Sequence, residues 1–293
     1  MLQVPYPRSG VLRCRGRDLA FGSRTLVMGI VNVTPDSFSG DGLGNQVEAA
    51  VARARLMVDE GADLIDVGGE STRPGARPVP AAEELDRVLP VVSALRQLLS
   101  VPISVDTRKA TVADAALAAG AHLINDVAGL QQDPEMAAVC ARHGAPVIVM
   151  HSPGASWEVA WPARYESVVD DVYRYLERSI AIAVRAGVAE DQIVVDPGFG
   201  FGKSNADNLT LLRDLGALRR LGRPVLLGTS RKRTIGALLG GLPVEERLEG
   251  SLATIALAVA QGVDIVRTHD ARASARAARV ADAVVRGTAE VKG

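Results

Sequence analysis

Eight short runs rich in Val, Ile and Leu recur along the chain, and stretches of helical character separate them. They are Leu26–Val33, Asp63–Val67, Ile103–Val105, His122–Asn125, Pro146–Met150, Ile193–Asp196, Pro224–Gly228 and Ile265–Thr268. Little polar alternation interrupts them, the pattern of strands covered on both faces. Strands that alternate with helices call for parallel pairing, with the helices packed outside. Eight such units predict an α/β fold, a closed (β/α)8 TIM barrel. Barrels of this type run to roughly 250 residues as one domain. The 293 residues carry no Ser/Gly-rich linker and no compositional break, so the expectation is a single domain over 1–293, with the barrel at about 26–287. Ahead of it, Val11–Arg15 and Asp18–Phe21 flank Gly16-Arg17 and read as a small hairpin, within about 11–25, suited to plug the barrel's lower end.

The connecting helices carry their own signals. Val47, Val51, Ala54 and Val58 recur at helical spacing, and Gly61 follows where a helix should stop. The last helix is expected over Ala271–Arg286 behind Asp270 as N-cap, with Val280 and Val284 on one side. A formal net charge of −1 offers no general attraction for nucleic acid or anionic membrane. Residues 1–15 lack an apolar signal core, and the longest apolar stretch, Leu252–Ala260, falls well short of the roughly 18 residues of a spanning helix. A cytoplasmic protein is expected. Cys14 and Cys140 lie far apart and suggest neither a disulfide nor a metal cluster.

In such a barrel the loops after the strands gather at one face and build the site. Polar residues mark that face here: Asn32, Thr72, Asp106, Asn125, Asp196, Lys232, Arg267 and His269. Ser230, Arg231 and Lys232 follow strand seven, and Arg267 and His269 flank Thr268 at the tip of strand eight. Loops after the last two strands often hold a phosphate, so this cationic cluster implies an anionic substrate. Asp106, Asn125 and Asp196 end strands three, four and six. Carboxylates accept hydrogen bonds and an amide does both, which suits the amino and ring N–H groups of a nitrogen heterocycle such as a pterin. Each of the three, taken alone, equally fits a cap on the helix that follows.

The run Gly198-Phe199-Gly200-Phe201-Gly202-Lys203-Ser204 invites a nucleotide-loop reading. That motif needs Gly five positions before its Gly-Lys-Ser triplet, and Pro197 stands there, so the reading is rejected. The glycines instead allow a tight turn close to a flat ligand. Two longer loops, Thr34–Asn45 and Gly68–Pro80, are dense in Gly, Ser, Pro and Asp and poor in bulky apolar residues. They have the composition of functional loops.

Together these segments resemble the dihydropteroate synthase family. The resemblance rests on Met28-Gly29-Ile30-Val31-Asn32-Val33-Thr34-Pro35-Asp36-Ser37-Phe38-Ser39, Gly68-Gly69-Glu70-Ser71-Thr72-Arg73-Pro74-Gly75, Asp196-Pro197-Gly198-Phe199-Gly200-Phe201-Gly202-Lys203 and Ser230-Arg231-Lys232. Asp106-Thr107, Asn125-Asp126, Met150-His151 with Gly154, and Arg267 with His269-Asp270 extend it over almost the whole chain.

The resemblance implies a transferase that joins 6-hydroxymethyl-7,8-dihydropterin diphosphate to 4-aminobenzoate, releasing pyrophosphate and giving 7,8-dihydropteroate. It places Asp106, Asn125, Asp196 and Lys232 on the pterin, with Met150 and Gly228 as further substrate contacts. Arg267, His269 and Asn32 would take the diphosphate, Asn32 through Mg2+, and Phe38, Thr72, Arg73 and Pro74 would shape the aminobenzoate pocket. The catalytic set implied is Asp106, Asp196, Lys232, Arg267 and His269, in a homodimer. Arg233 stands where many members carry Ser, and loop one reads Ser39-Gly40-Asp41-Gly42 where Ser-Asp-Gly-Gly is commoner. His122 and His143 match no motif and are expected to be structural, while His151 is expected to line the pterin wall. Two alternatives share the barrel: a corrinoid-linked pterin methyltransferase domain, which lacks the diphosphate site, and a pterin-binding paralogue without catalysis.

Overall fold

Unbroken Val, Ile and Leu runs give eight parallel strands. In the computed structural model, which describes residues 9–34, 43–71, 77–153 and 163–287, these are β3 (Leu26–Asn32), β4 (Leu64–Gly68), β5 (Ile103–Asp106), β6 (Leu123–Asp126), β7 (Val147–Met150), β8 (Ile193–Asp196), β9 (Leu226–Leu227) and β10 (Ile265–Thr268). They hydrogen-bond in the order β8-β7-β6-β5-β4-β3-β10-β9, and a parallel bridge between Val195 and Val225 closes the ring. The expected barrel is there. Its seventh strand, read as Pro224–Gly228, shrinks to two residues, because Pro224 has no N–H to donate and uses only its carbonyl, accepting from the Val195 amide at 2.9 Å.

The hairpin also forms, from β1 (Gly10–Leu12) and β2 (Leu19–Phe21), with Leu12 opposite Leu19. Leu12, Cys14, Leu19 and Phe21 are buried in one apolar cluster with Met28, Leu64, Leu123, Ile148, Val194, Leu226 and Ile265. Seven barrel strands thus send side chains down onto the hairpin, two of them, Leu26 and Met28, from β3, and the hairpin stoppers the lower end. Gln192 ties it there: its Oε1 accepts from the Arg13 amide at 2.7 Å. Both cysteines are free and buried. A second, larger cluster contains Val27, Ile65, Val105, Ile124, Val149, Val195 and Val266, packed outward against the helices.

Helix α1 (Leu43–Asp59) ends before Gly61, which adopts φ +104°, as its sequence suggests. The last described helix, α9 (Ala271–Arg286), has the expected limits but the opposite face. Val280 and Val284 are 67% and 81% exposed, and the buried side is Ala271, Ser274, Ala278 and Asp282. Small residues let the helix lie close to its neighbours. Asp282 is satisfied inside by the Thr25 amide at 2.8 Å and by Arg286 at 2.7 Å. Asp270 makes no side-chain cap either, because its carboxylate is taken by Arg231. Among the described residues no helix is long and apolar enough to cross a membrane.

Candidate functional site

Strand side chains alternate between faces, so the residue two beyond an inward apolar anchor also points inward, one layer higher. Applied to Leu64, Leu123, Ile148, Val194, Leu226 and Ile265, that rule places Asp66, Asn125, Met150, Asp196, Gly228 and Arg267 in one layer at the upper mouth. Asp106 joins it two residues after the buried Ser104. The sequence reading missed Asp66, which sits inside its strand and not at the tip. Its position two after Leu64 was the available signal.

Asp66 is the hub. Fully buried, its Oδ2 accepts from Arg267 Nε at 2.6 Å and from Asn125 Nδ2 at 3.0 Å. Arg267 Nη2 donates to Asp106 Oδ2 at 2.8 Å. Two carboxylates therefore hold one guanidinium flat across the mouth, and among the described residues its Nη1 has no protein acceptor. Burial pushes the Asp106 carboxyl upward, with Arg267 pulling the other way, while the two carboxylates keep Arg267 firmly cationic. Asn32 and Asp106 flank Gly68 in the strand register, and a Cβ built on Gly68 would lie 3.6 Å from Asn32 Oδ1 and 3.9 Å from Asp106 Oδ2. A Cβ on Gly228 would lie 3.6 Å from that of Arg267.

Across the barrel, Asp196 Oδ1 accepts from the Gly198 amide at 2.7 Å, and burial raises its pKa despite Lys232 nearby. Lys232 donates Nζ to the Phe199 carbonyl and sits 4.3 Å from the centre of the Phe201 ring. Burial brings the Lys232 ammonium down to about 8, against the attraction of Asp196. Met150 is buried beside Gly198.

The expected cationic cluster is smaller than its sequence. Arg231 turns away, with φ +56° and a two-pronged pair to Asp270 at 2.9 and 2.5 Å. Ser230 instead supports His269, its Oγ lying 3.0 Å from Nδ1 and 3.1 Å from the backbone amide. Arg53 of α1 donates to the His269 carbonyl at 2.6 Å. Below, His122 Nδ1 accepts from the Ile103 amide at 3.1 Å and burial lowers it to about 4, while His143 pairs with Asp114 at 2.7 Å. Both act in the scaffold. His151 faces Lys203 at 2.8 Å, inside the Gly-rich turn. Phe38, Thr72, Arg73, Pro74 and Gly154 lie outside the described residues. The root of the second loop is held by Glu70, which accepts from Lys109 at 2.7 Å and from the Val79 amide at 3.0 Å.

A barrel whose mouth carries inward acids, one amide and a bridging arginine defines a site for a polar ring that bears an anion. The sequence matches the family described as "Pterin binding enzyme" over residues 28–269. It is 47% identical to the dihydropteroate synthase of Bacillus subtilis, over 97% of both chains. The structure of the Xanthomonas albilineans dihydropteroate synthase with 4-aminobenzoic acid superposes with a TM-score of 0.89 at 48% identity, over 94% of this chain and 98% of that one. The same enzyme in complex with 7,8-dihydropteroate gives 0.85 at 46% identity, over 94% and 98%. The chain is thus a pterin-binding TIM-barrel transferase. Within that class it belongs to the dihydropteroate synthase family.

Proposed function

We propose that this protein condenses 6-hydroxymethyl-7,8-dihydropterin diphosphate with 4-aminobenzoate, releasing pyrophosphate and forming 7,8-dihydropteroate. The observation that carries the reading is the guanidinium of Arg267, fixed between Asp66 and Asp106 at the barrel mouth with Nη1 still to donate. Asp106, Asn125, Asp196 and Lys232 read the pterin, with Met150 and Gly228 against it, while Arg267, His269 and Asn32 meet the diphosphate. Phe38, Thr72, Arg73 and Pro74 serve the aminobenzoate.

The chemistry is electrostatic. The bond between the exocyclic carbon and the diphosphate oxygen breaks as Arg267 and His269 match the charge growing on the leaving group. The carboxylates of Asp106 and Asp196 stabilise the pterin cation left behind. The amine of 4-aminobenzoate adds its lone pair to that carbon and loses a proton, so no covalent enzyme intermediate is required.

Asn32 would hold Mg2+ through Oδ1, a hard oxygen donor of the kind that ion prefers. No group of three His, Cys, Asp or Glu side chains that could hold a metal is found among the described residues. When bound, Mg2+ would neutralise diphosphate charge. We further propose that the hairpin and barrel act as one domain, in the cytoplasm, as a homodimer. The large apolar side chains left outside on α9 and on α8 (Leu248–Ala260), Val280, Val284 and Leu257, support the last point.

Two results are expected in solution. Lys232 is charged below its value of about 8 and neutral above it, so pterin affinity should fall as pH rises through 8 to 9. Calorimetry with 6-hydroxymethylpterin across that range checks this, and Lys232→Met should flatten the profile. Because both long loops hold few bulky apolar residues, 4-aminobenzoate should bind weakly alone and appreciably once pyrophosphate, Mg2+ and a pterin analogue are present. Equal affinity in the two titrations would mean a preformed pocket.

A further inference from the structure

Lys203 ends the Gly-rich turn after β8 and is 1% exposed. Its Nζ has three neighbours: the carbonyls of Gly198 and Phe201, each at 2.9 Å, and His151 Nδ1 at 2.8 Å. None is a carboxylate. A lysine is rarely buried without an ion pair, because leaving water costs its charged form heavily. Burial accordingly holds its pKa well below the ordinary value. The protons on Nζ still suffice in either state. An ammonium donates to all three neighbours, whereas a neutral amine donates to the two carbonyls and accepts from His151 Nδ1–H.

The two carbonyls belong to a turn of unusual backbone. Gly198, Gly200 and Gly202 take φ of +67°, +83° and +62°, and the Phe201 amide donates to the Gly198 carbonyl at 3.0 Å. The turn has no slack. A Cβ on Gly198 would fall 2.0 Å from the His151 carbonyl oxygen, and one on Gly202 would fall 2.1 Å from Pro153 Cγ. Besides the Gly198 amide bond to Asp196, the turn meets Lys232 on its other side. The Phe199 carbonyl accepts from Lys232 Nζ, the Phe201 ring lies beneath it, and a Cβ on Gly200 would be 2.8 Å from Lys232 Cδ.

We propose that Lys203 is a positioning residue: an internal hydrogen-bond donor that gathers the Gly198–Gly202 turn and, through Phe199 and Phe201, aims Lys232 into the pterin pocket. The inference rests on the reading of Lys232 as a pterin-binding group. In the full-length protein, Lys203→Met keeps length and removes every donor. Thermal unfolding first identifies folded variants, and calorimetry with 6-hydroxymethylpterin then follows a cycle of Lys203→Met, Lys232→Met and the double variant. Lys203→Met should weaken pterin binding by about ten-fold or more, the scale of a lost hydrogen bond to a charged group. It should raise KM for the pterin diphosphate more than KM for 4-aminobenzoate, and the double variant should bind no worse than Lys232→Met alone.

Pterin affinity within two-fold of the parent, or losses that simply add, would overturn the proposal. If Lys232→Met itself leaves affinity unchanged, the role given to Lys232 fails instead, whatever Lys203 does. Should Lys203→Met not fold, Lys203→Leu, which also removes every donor, replaces it in the cycle. The parent protein gives an independent check, because it has only four lysines. NMR of their Nζ groups should show a slowly exchanging buried resonance at Lys203, and exchange as fast as that of a solvent lysine would reject the hydrogen-bonded geometry outright.

Discussion

Arg267→Ala should slow turnover by about a hundred- to a thousand-fold, the scale of losing one preorganised charge-stabilising donor. The structure adds a second consequence. Asp66 and Asp106 would stay buried without the cation they share, and breaking a buried pair on one side costs about 3–5 kcal/mol. The destabilisation should deepen as pH rises. With Arg267 gone the Asp106 carboxyl, already raised by burial, binds its proton more tightly in the folded than in the unfolded chain, so folding loses stability above the unfolded carboxyl range. Denaturant titrations at pH 5 and pH 8 measure that term, and turnover is read where the variant remains folded. Arg267→Lys should recover part of the stability and little of the rate, since an ammonium cannot span both carboxylates in one plane. Turnover of the Ala variant within a few-fold of the parent would mean that the diphosphate lies elsewhere.

Asp196→Asn is the second large effect, and it acts on binding and not on folding. Asp196 Oδ1 accepts from the Gly198 amide at 2.7 Å, and an amide can keep that bond by turning its oxygen to the turn. Its NH2 then faces the pocket, where the carboxylate presented an acceptor, beside the Lys232 ammonium. A donor replaces an acceptor toward the pterin ring N–H groups, so affinity should fall by about ten- to a hundred-fold. The melting temperature should barely move. Unchanged pterin affinity by calorimetry would remove Asp196 from the site, and a large melting loss would make it a support for the turn.

The strands were legible because burial on both faces leaves short runs rich in Val, Ile and Leu, each followed by a helical stretch. Where the reading failed, the cause is physical. In α9 the shared side of Val280 and Val284 does not say which face is buried, because close packing there selects Ala271, Ser274 and Ala278 and pairs Asp282 internally. Arg231 and Lys232 are adjacent and alike in charge, yet a left-handed backbone at Arg231 and the carboxylate of Asp270 send them to different places. Asp66 lies within its strand and not at the tip, so the pattern of polar strand ends does not include it. The two-residue alternation above the hairpin plug would have placed it beside Asn125 and Arg267. Lys203 was visible in the sequence only as part of a motif, since an inward lysine bonded to carbonyls has no pattern that separates it from an outward one.

This barrel joins a pterin to an arylamine with loss of diphosphate. A single-turnover experiment tests it most directly: excess parent protein is mixed with 6-hydroxymethyl-7,8-dihydropterin diphosphate, Mg2+ and labelled 4-aminobenzoate, and product and pyrophosphate are counted. One labelled 7,8-dihydropteroate and one pyrophosphate are expected for each pterin diphosphate consumed, with Arg267→Ala slowing both together. Tight pterin binding with no labelled product from folded protein would contradict this reading and leave a binding module in place of an enzyme.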